Sequence, residues 1–439
     1  MNKELTKKQK NLLSIIVLIA FLVFVQVGSS VVSPSSGLSM LFTVIEKGSI
    51  YALVAVALNL LNGFTGLFSL GQAGFMLIGG YTYAVLTIPA GMRLNVYQYF
   101  DGGWIKFSIP EVVGNALGGV MGQTGYAIGE FIGMLIPMIL AGLLAAAVAF
   151  LIGIPVLRLK SDYLAIATLG FAEIFRAFFQ WNTLGPLTNG SNILRSFTTY
   201  SSPLFPIIVA GLCIAFIVML INSSYGRAFK AIRDDEIAAE AMGVNLFKHK
   251  QWSFVISSFF AGIGGALLAM FQNSITSTPF TSNLTYELLL IVVIGGIGSI
   301  TGSILGAFLF VACSEWWLRF LDMGGAFGLE FDFMRPGFRK VVFAIAIMLI
   351  VLFYRQGIMG TREFSWEGFF RLIKSIPGRI KNIPNKFKNL FKKHKKHTEK
   401  VKFGSDKDQR NRRKDRRYRF KSVKFNDPKR NIGSLSGCV

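Results

Sequence analysis

Residues 225–245 read YGRAFKAIRDDEIAAEAMGVN, and they lie between two apolar runs, 204–222 and 251–272. Good helix formers dominate the stretch. Ala228, Ile232 and Ala239 are placed to pack, whereas Arg227, Arg233, Asp235, Glu236 and Glu240 stay polar, and Gly243 is positioned to end a helix as a C-cap glycine does. A short charged helix stranded between two apolar runs has no lipid to cover. It calls for a partner with a groove that a helix can enter.

Working outward, the rest of the chain supplies the membrane. Of its 439 residues 52% are hydrophobic and only 16% charged, with 46 Gly and 41 Phe, a composition that excludes an ordinary soluble enzyme and points to close-packed transmembrane helices. A hydrocarbon core of about 30 Å needs roughly 20 apolar residues per helix. Apolar runs occur at 11–32, 48–62, 67–89, 131–156, 162–181, 204–222, 251–272, 284–298, 302–320 and 339–354, which predicts an all-α, polytopic bundle of about ten spans. The first run is longer than the apolar core of a signal peptide, roughly 7–15 residues, and reads as a retained helix. Asn62, Gly63 and Gly66 give a tight connection that would pair the second and third spans as a hairpin.

Lys and Arg set the orientation. Lys3 to Lys10, Arg158, Lys160, the 223–250 loop and the C-terminal tail fall on one side, which places both termini in the cytoplasm, against the contrary pair Arg339 and Lys340. The formal charge of +23 is not spread evenly: residues 1–354 carry a net +4 and residues 355–439 a net +19. The chain therefore divides into a membrane domain, 1–354, and a basic tail, 355–439. The Gly-rich stretch 90–130 is the longest outward loop, either a small cap or a solvated connector.

Catalytic signatures are lacking. No Gly-Lys dipeptide occurs, so there is no Walker A phosphate cradle. Leu67-Phe68-Ser69-Leu70-Gly71-Gln72 and the run around Gly296 imitate nucleotide motifs only superficially, since both open membrane segments. Three cysteines and three unclustered histidines imply neither a disulfide framework nor a metal. Gly298, Gly302 and Gly306 recur every four residues, the spacing of a close helix-packing face. Asn59, Ser69, Gln72, Tyr163, Thr168 and Glu173 are polar groups within spans, suited either to interhelical hydrogen bonds or to a weakly polar solute path. Glu173 is also within ion-pairing reach of Arg176.

At this point a resemblance enters. The 225–245 loop resembles the cytoplasmic coupling loop of ABC importer permeases, and in this form is similar to the permease subunits of bacterial branched-chain amino acid importers. Supporting matches follow in order at Leu58–Phe75, Asp162–Glu173, Ala261–Leu267, Gly295–Gly302 and Arg355–Ile358. The pattern departs at Ile237, where the family's Glu would fall and Glu236 stands one place early, and at Tyr354, where the family usually has Pro. The resemblance implies a multi-pass subunit of the bacterial cytoplasmic (inner) membrane without a cofactor of its own. It also implies ATPase subunits that bind the ATP, a second similar permease subunit and an external solute-binding protein. Permeases for urea and short amides share most of these motifs, and an ATP-independent secondary transporter is the rival from another class.

The tail has no counterpart in that resemblance. Trp366, Phe369, Phe370 and Ile373 follow helical spacing with charged neighbours, an interfacial amphipathic helix over 363–376. Lys392 to Lys396 and Arg410 to Arg419 form basic clusters that suit anionic lipid, at about 1 kcal/mol per side chain. Nucleic acid is disfavoured, because aromatics are sparse there and no binding motif is present.

Overall fold

A segment in lipid cannot leave backbone N–H and C=O groups to water, so apolar runs close their hydrogen bonds internally as helices. The computed structural model describes residues 7–32, 39–159, 161–317, 357–360 and 363, together with 325, 326, 329, 330, 341, 344, 345 and 348. By its contacts the chain divides into two units, Met1–Glu363 and Phe364–Val439. The second unit, and with it all of the expected tail helix except Glu363, lies outside the described residues.

The first unit is built from α1 (Lys7–Val31), α2 (Ser39–Asn59), α3 (Gln72–Thr87), α4 (Ile109–Val156), α5 (Ser161–Gln180), α6 (Leu204–Asn222), α7 (Ser224–Asp234), α8 (Glu236–Ala241), α9 (Leu246–Gln272), α10 (Ser282–Gly295) and α11 (Ile300–Ala312). Two-residue strands β1 (Leu194–Arg195) and β2 (Ser274–Ile275) pair antiparallel, with Leu194 opposite Ile275.

Among the described residues six helices are long and apolar enough to cross a membrane, or seven if the bent pair Gln72–Thr87 and Ala90–Val96 counts as one span. The expectation was about ten. α5 is a helix of 20 residues, but it carries Asp162, Glu173 and Arg176. α10 has only 14 residues, about 21 Å of helix at 1.5 Å per residue. The expected span at 339–354 lies almost wholly outside the described residues.

The core is organised around α9. Its Gly262, Gly264 and Gly265 bring three neighbours to backbone distance: a Cβ on Gly262 would lie 2.8 Å from Ala145 Cβ and 2.9 Å from the Ala141 oxygen on α4, one on Gly264 would strike Val54 on α2, and one on Gly265 would strike the Met76 backbone on α3. Helix association in lipid is driven by such close van der Waals packing rather than by a hydrophobic effect between helices. As a result α9 lies against both α2 and α3, and these two do not form the hairpin that Asn62, Gly63 and Gly66 predicted.

The stretch 90–130 also departs from expectation. Residues 109–121 are helical, and the helix reverses at Gly122 (φ 67°, ψ −147°). A Cβ on Gly129 would sit 2.7 Å from the Val113 oxygen, and one on Gly133 would sit 2.5 Å from Pro110 Cα, so the two arms pack against each other. Glycines that read as loop signals are packing residues in a membrane helix. Residues 88–108 and 182–203 are joined to each other instead, as in the bond from the Trp104 N–H to Pro186 O. Buried Arg93 donates to the carbonyls of Val85, Ile105 and Phe107, Tyr97 donates to Leu187 O, and Tyr83 donates to Thr198 O.

The α9 junction generates a test. Gly262→Leu should cost about 1–3 kcal/mol or more through overpacking and abolish the monodisperse peak of detergent-extracted protein in size-exclusion chromatography. Gly211→Leu on α6, where an added Cβ meets nothing within 4 Å, should leave that peak intact.

Candidate functional site

The loop folds as two helices rather than one. Asp235 adopts an extended conformation (φ −159°, ψ 113°), which ends α7, and its carboxylate then accepts from the N–H groups of Ile237 and Ala238 to cap α8, satisfying donors that a helix start leaves open. At the far end Gly243 has φ +83°. The Gly243 N–H donates to Glu240 O and the Val244 N–H to Ala239 O, the paired bonds of a Schellman ending.

One face of this pair is committed to the chain itself. Gly226, Phe229 and Ile232 on α7 and Ala239 on α8 are buried. Phe229 escaped the sequence reading, which had Ala228 in the packing set. The other face is open, with Ile237 82% and Met242 84% exposed. Among the carboxylates, Asp235 is the cap and Glu236 pairs with Lys250 at 2.6 Å. The Glu240 carboxylate has no hydrogen-bond or ion-pair partner among the described residues. Arg227 donates to the Ser224 hydroxyl.

Arg233 is partly exposed yet bonds back to the end of α2. Its Nη1 donates to Gly63 O at 3.0 Å, while Nε and Nη2 donate to Asp234 at 3.1 and 2.9 Å. Gly63 belongs to the wide π-type turn Leu60–Phe64 in which α2 ends. From there residues 65–71 run without regular structure to α3, and side chains meet the polar groups of 69–71. Asn62 accepts from the Ser69 N–H and donates to Ser69 O, Thr168 on α5 accepts from the Leu70 N–H, and the Ser69 hydroxyl accepts from the Gly71 N–H.

Beside this break lies a second one. α10 and α11 are separated by a turn in which Gly296 and Gly298 have φ +120° and +84°. Asn59 holds that turn with three bonds: it accepts from the Gly298 N–H and donates to Ser299 O and to the Ser303 hydroxyl. The segment after the last expected span closes the cluster. Ile358 and Met359 donate to the last carbonyls of α10, and Glu363 accepts from the N–H groups of Ile300 and Thr301 and from the Thr301 hydroxyl. A carboxylate at a helix N-terminus meets both open donors and the favourable end of the helix dipole.

The expected site residues therefore divide. Asn59, Ser69 and Thr168 meet at the helix breaks, fully buried, and Gln72 reaches Ser257 on α9 at 3.4 Å. Tyr163 is 63% exposed on α5. Glu173 accepts from Arg176 at 2.6 Å and from the Ser282 N–H that opens α10. Gly302 and Gly306 pack against Gly295 and Ile291 of α10. Gly298 is the exception to the expected packing face, because it lies in the turn before α11 begins. The sequence reading also missed the ion pair of Lys47 on α2 with Glu315. Lys47 fell one residue outside a predicted span, and Glu315 was concealed within one. Among the described residues no group of His, Cys, Asp and Glu is placed to hold a metal.

Comparison with known proteins gives one consistent answer. Residues 40–353 match the family model described as branched-chain amino acid transport system / permease component. The chain is 32% identical over 300 residues to the high-affinity branched-chain amino acid transport system permease protein LivM of Salmonella typhimurium and 31% identical to that of Escherichia coli, in each case over 61% of both proteins. It is 24% identical to the Escherichia coli permease protein LivH over 74% of this chain and 96% of the relative. The chain thus spans about three-fifths of the length of the LivM relatives it matches. No solved structure matches.

The three-bond role of Asn59 can be measured. Asn59→Leu leaves the Gly298 N–H without its acceptor, at about 1–3 kcal/mol, while Ser299 O keeps its bonds from Ser303, and should lower the melting temperature of the detergent-solubilised protein. Tyr163→Phe, at an exposed hydroxyl, should leave melting unchanged.

Proposed function

The chain belongs to the branched-chain amino acid transport permease family, and from that premise we propose that it is the membrane-spanning subunit of an ATP-driven importer for branched-chain or other apolar amino acids. The observation that carries this reading is the two-faced loop. α7 and α8 are rooted in the bundle by Phe229, Ile232 and Ala239, yet they hold Ile237, Met242 and Glu240 out from it. Exposed apolar side chains around one carboxylate on a short, capped helix suit a groove in another protein. In this reading the groove belongs to ATPase subunits that bind and hydrolyse the ATP. The loop, the 357–363 segment and both termini face the cytoplasm of a bacterial inner membrane, and about ten spans cross it.

The relatives' names, a LivM and a LivH, favour a second similar permease subunit beside this one. An external solute-binding protein would deliver substrate to the cap of 88–108 and 182–203. The solute path would follow α5, whose Tyr163 and Glu173 are the less buried of the six polar candidates. Asn59, Ser69, Gln72 and Thr168 would shape that path from behind. The basic tail, 355–439, would bind anionic lipid.

Reconstitution of the full chain with candidate ATPase and permease subunits tests the assignment. ATP-dependent uptake of leucine, isoleucine or valine is expected, with urea and acetamide failing to compete; uptake without ATPase subunits would favour a secondary transporter. Ile237→Asp with Met242→Asp should abolish ATPase co-purification while leaving membrane insertion intact. Truncation after Glu363 should retain transport, since the α11 cap survives, whereas truncation before Gly357 removes that cap and should lower yield and uptake together.

A further inference from the structure

Two interruptions of membrane helices meet at one side chain. Arg233 donates to Gly63 O in the turn that ends α2. An added Cβ on Gly66 (φ +77°) would lie 3.0 Å from Arg233 Cγ and 3.2 Å from its Cα, and one on Gly298 would lie 3.2 Å from its Nη1. Gly298 is in turn bonded to Asn59, one residue before the α2 turn. The sequence places Arg233 among residues for an outside partner, yet its guanidinium is spent on its own chain, with Asp234 fixing the other edge of the fork.

We infer that Arg233 is a positioning residue that transmits displacement of the α7–α8 loop to the interruptions after α2 and between α10 and α11. The inference rests on reading the loop as an ATPase-docking element, and it adds the route by which movement leaves the loop. α7 is seated by Phe229 and Ile232, so a push on exposed α8 moves it as a body. Arg233, in its last turn, then draws Gly63 O and presses on the Gly66 and Gly298 backbones. Those sites can yield, because glycines at positive φ and a π-type turn absorb dihedral changes that a regular helix resists. The rest of the loop could keep its grip on the ATPase without this contact, but the grip would then move nothing.

The test uses the full chain in its complex with ATPase subunits and reads substrate taken up per ATP hydrolysed. Arg233→Met keeps the stem beside Gly66 but removes every donor, and should lower that ratio about tenfold, the scale of one hydrogen bond to a charged group, while the ATPase still co-purifies at the wild-type stoichiometry. Arg233→Lys restores a charge and a single-point donor without the fork, and should fall between Met and wild type. A wild-type ratio in Arg233→Met overturns the inference, as does loss of the ATPase in Arg233→Lys, which would place the side chain at the docking surface. If Arg233→Met does not accumulate, Arg233→Lys decides alone: a reduced ratio supports the inference and a wild-type ratio overturns it. Failure of the wild-type chain to retain any ATPase is a separate result that overturns the assignment of the loop itself.

Discussion

In a bilayer, an interrupted helix exposes N–H and C=O groups that water cannot reach, and each must find a partner within the protein. That constraint governs this chain more than any other, because the helices at its centre are interrupted beside one another. The gap between α2 and α3 is closed by Asn62, Ser69 and Thr168, and the gap between α10 and α11 by Asn59 and Glu363. The polar side chains of the spans are consequently drawn to the breaks. A burial of this kind is costly unless satisfied, and at these breaks the principal donors and acceptors have partners.

Close packing makes the arrangement possible. α9 carries glycine toward α2, α3 and α4 at once, so the interrupted helices can be held at backbone distance by an uninterrupted one. Gly302 and Gly306 do the same between α10 and α11. A rigid frame beside yielding junctions is what a transport domain needs if motion is to be confined to chosen places, since packed cores have discrete arrangements and resist continuous deformation.

The sequence displayed much of this. The apolar run 204–222 coincides with α6, 251–272 lies within α9, and Gly243 ends its helix with φ +83° as a C-cap glycine should. What it concealed has physical causes. Glycine signals both a turn and a packing contact, so 109–130 read as a loop although it is helical, and Gly298 read as part of a packing face although it belongs to a turn. A polar residue in a span looks the same whether it meets a solute or a broken helix; Asn59 and Thr168 were candidates for a path, and only their bonds to Gly298 and Leu70 reveal where they are engaged. The split at Asp235 was illegible because Arg233, Glu236, Ala238 and Ala239 around it are good helix formers, and a cap competes with helix continuation only once tertiary contacts favour it.

The position of the charged loop follows from the same constraint. A loop helix could dock anywhere on the loop end of the bundle, but only at an interruption are backbone carbonyls such as Gly63 O free to accept from it. In a continuous helix that carbonyl would be committed four residues along the chain. Arg233 meets a need created by the broken α2, and the broken α2 offers Arg233 a point of attachment that regular structure would withhold. Breaks and loop are therefore mutually dependent: straightening α2 would release the arginine, and removing the arginine would leave the Gly63 carbonyl short of its donor. That dependence ties the charged loop to the places where the backbone can yield.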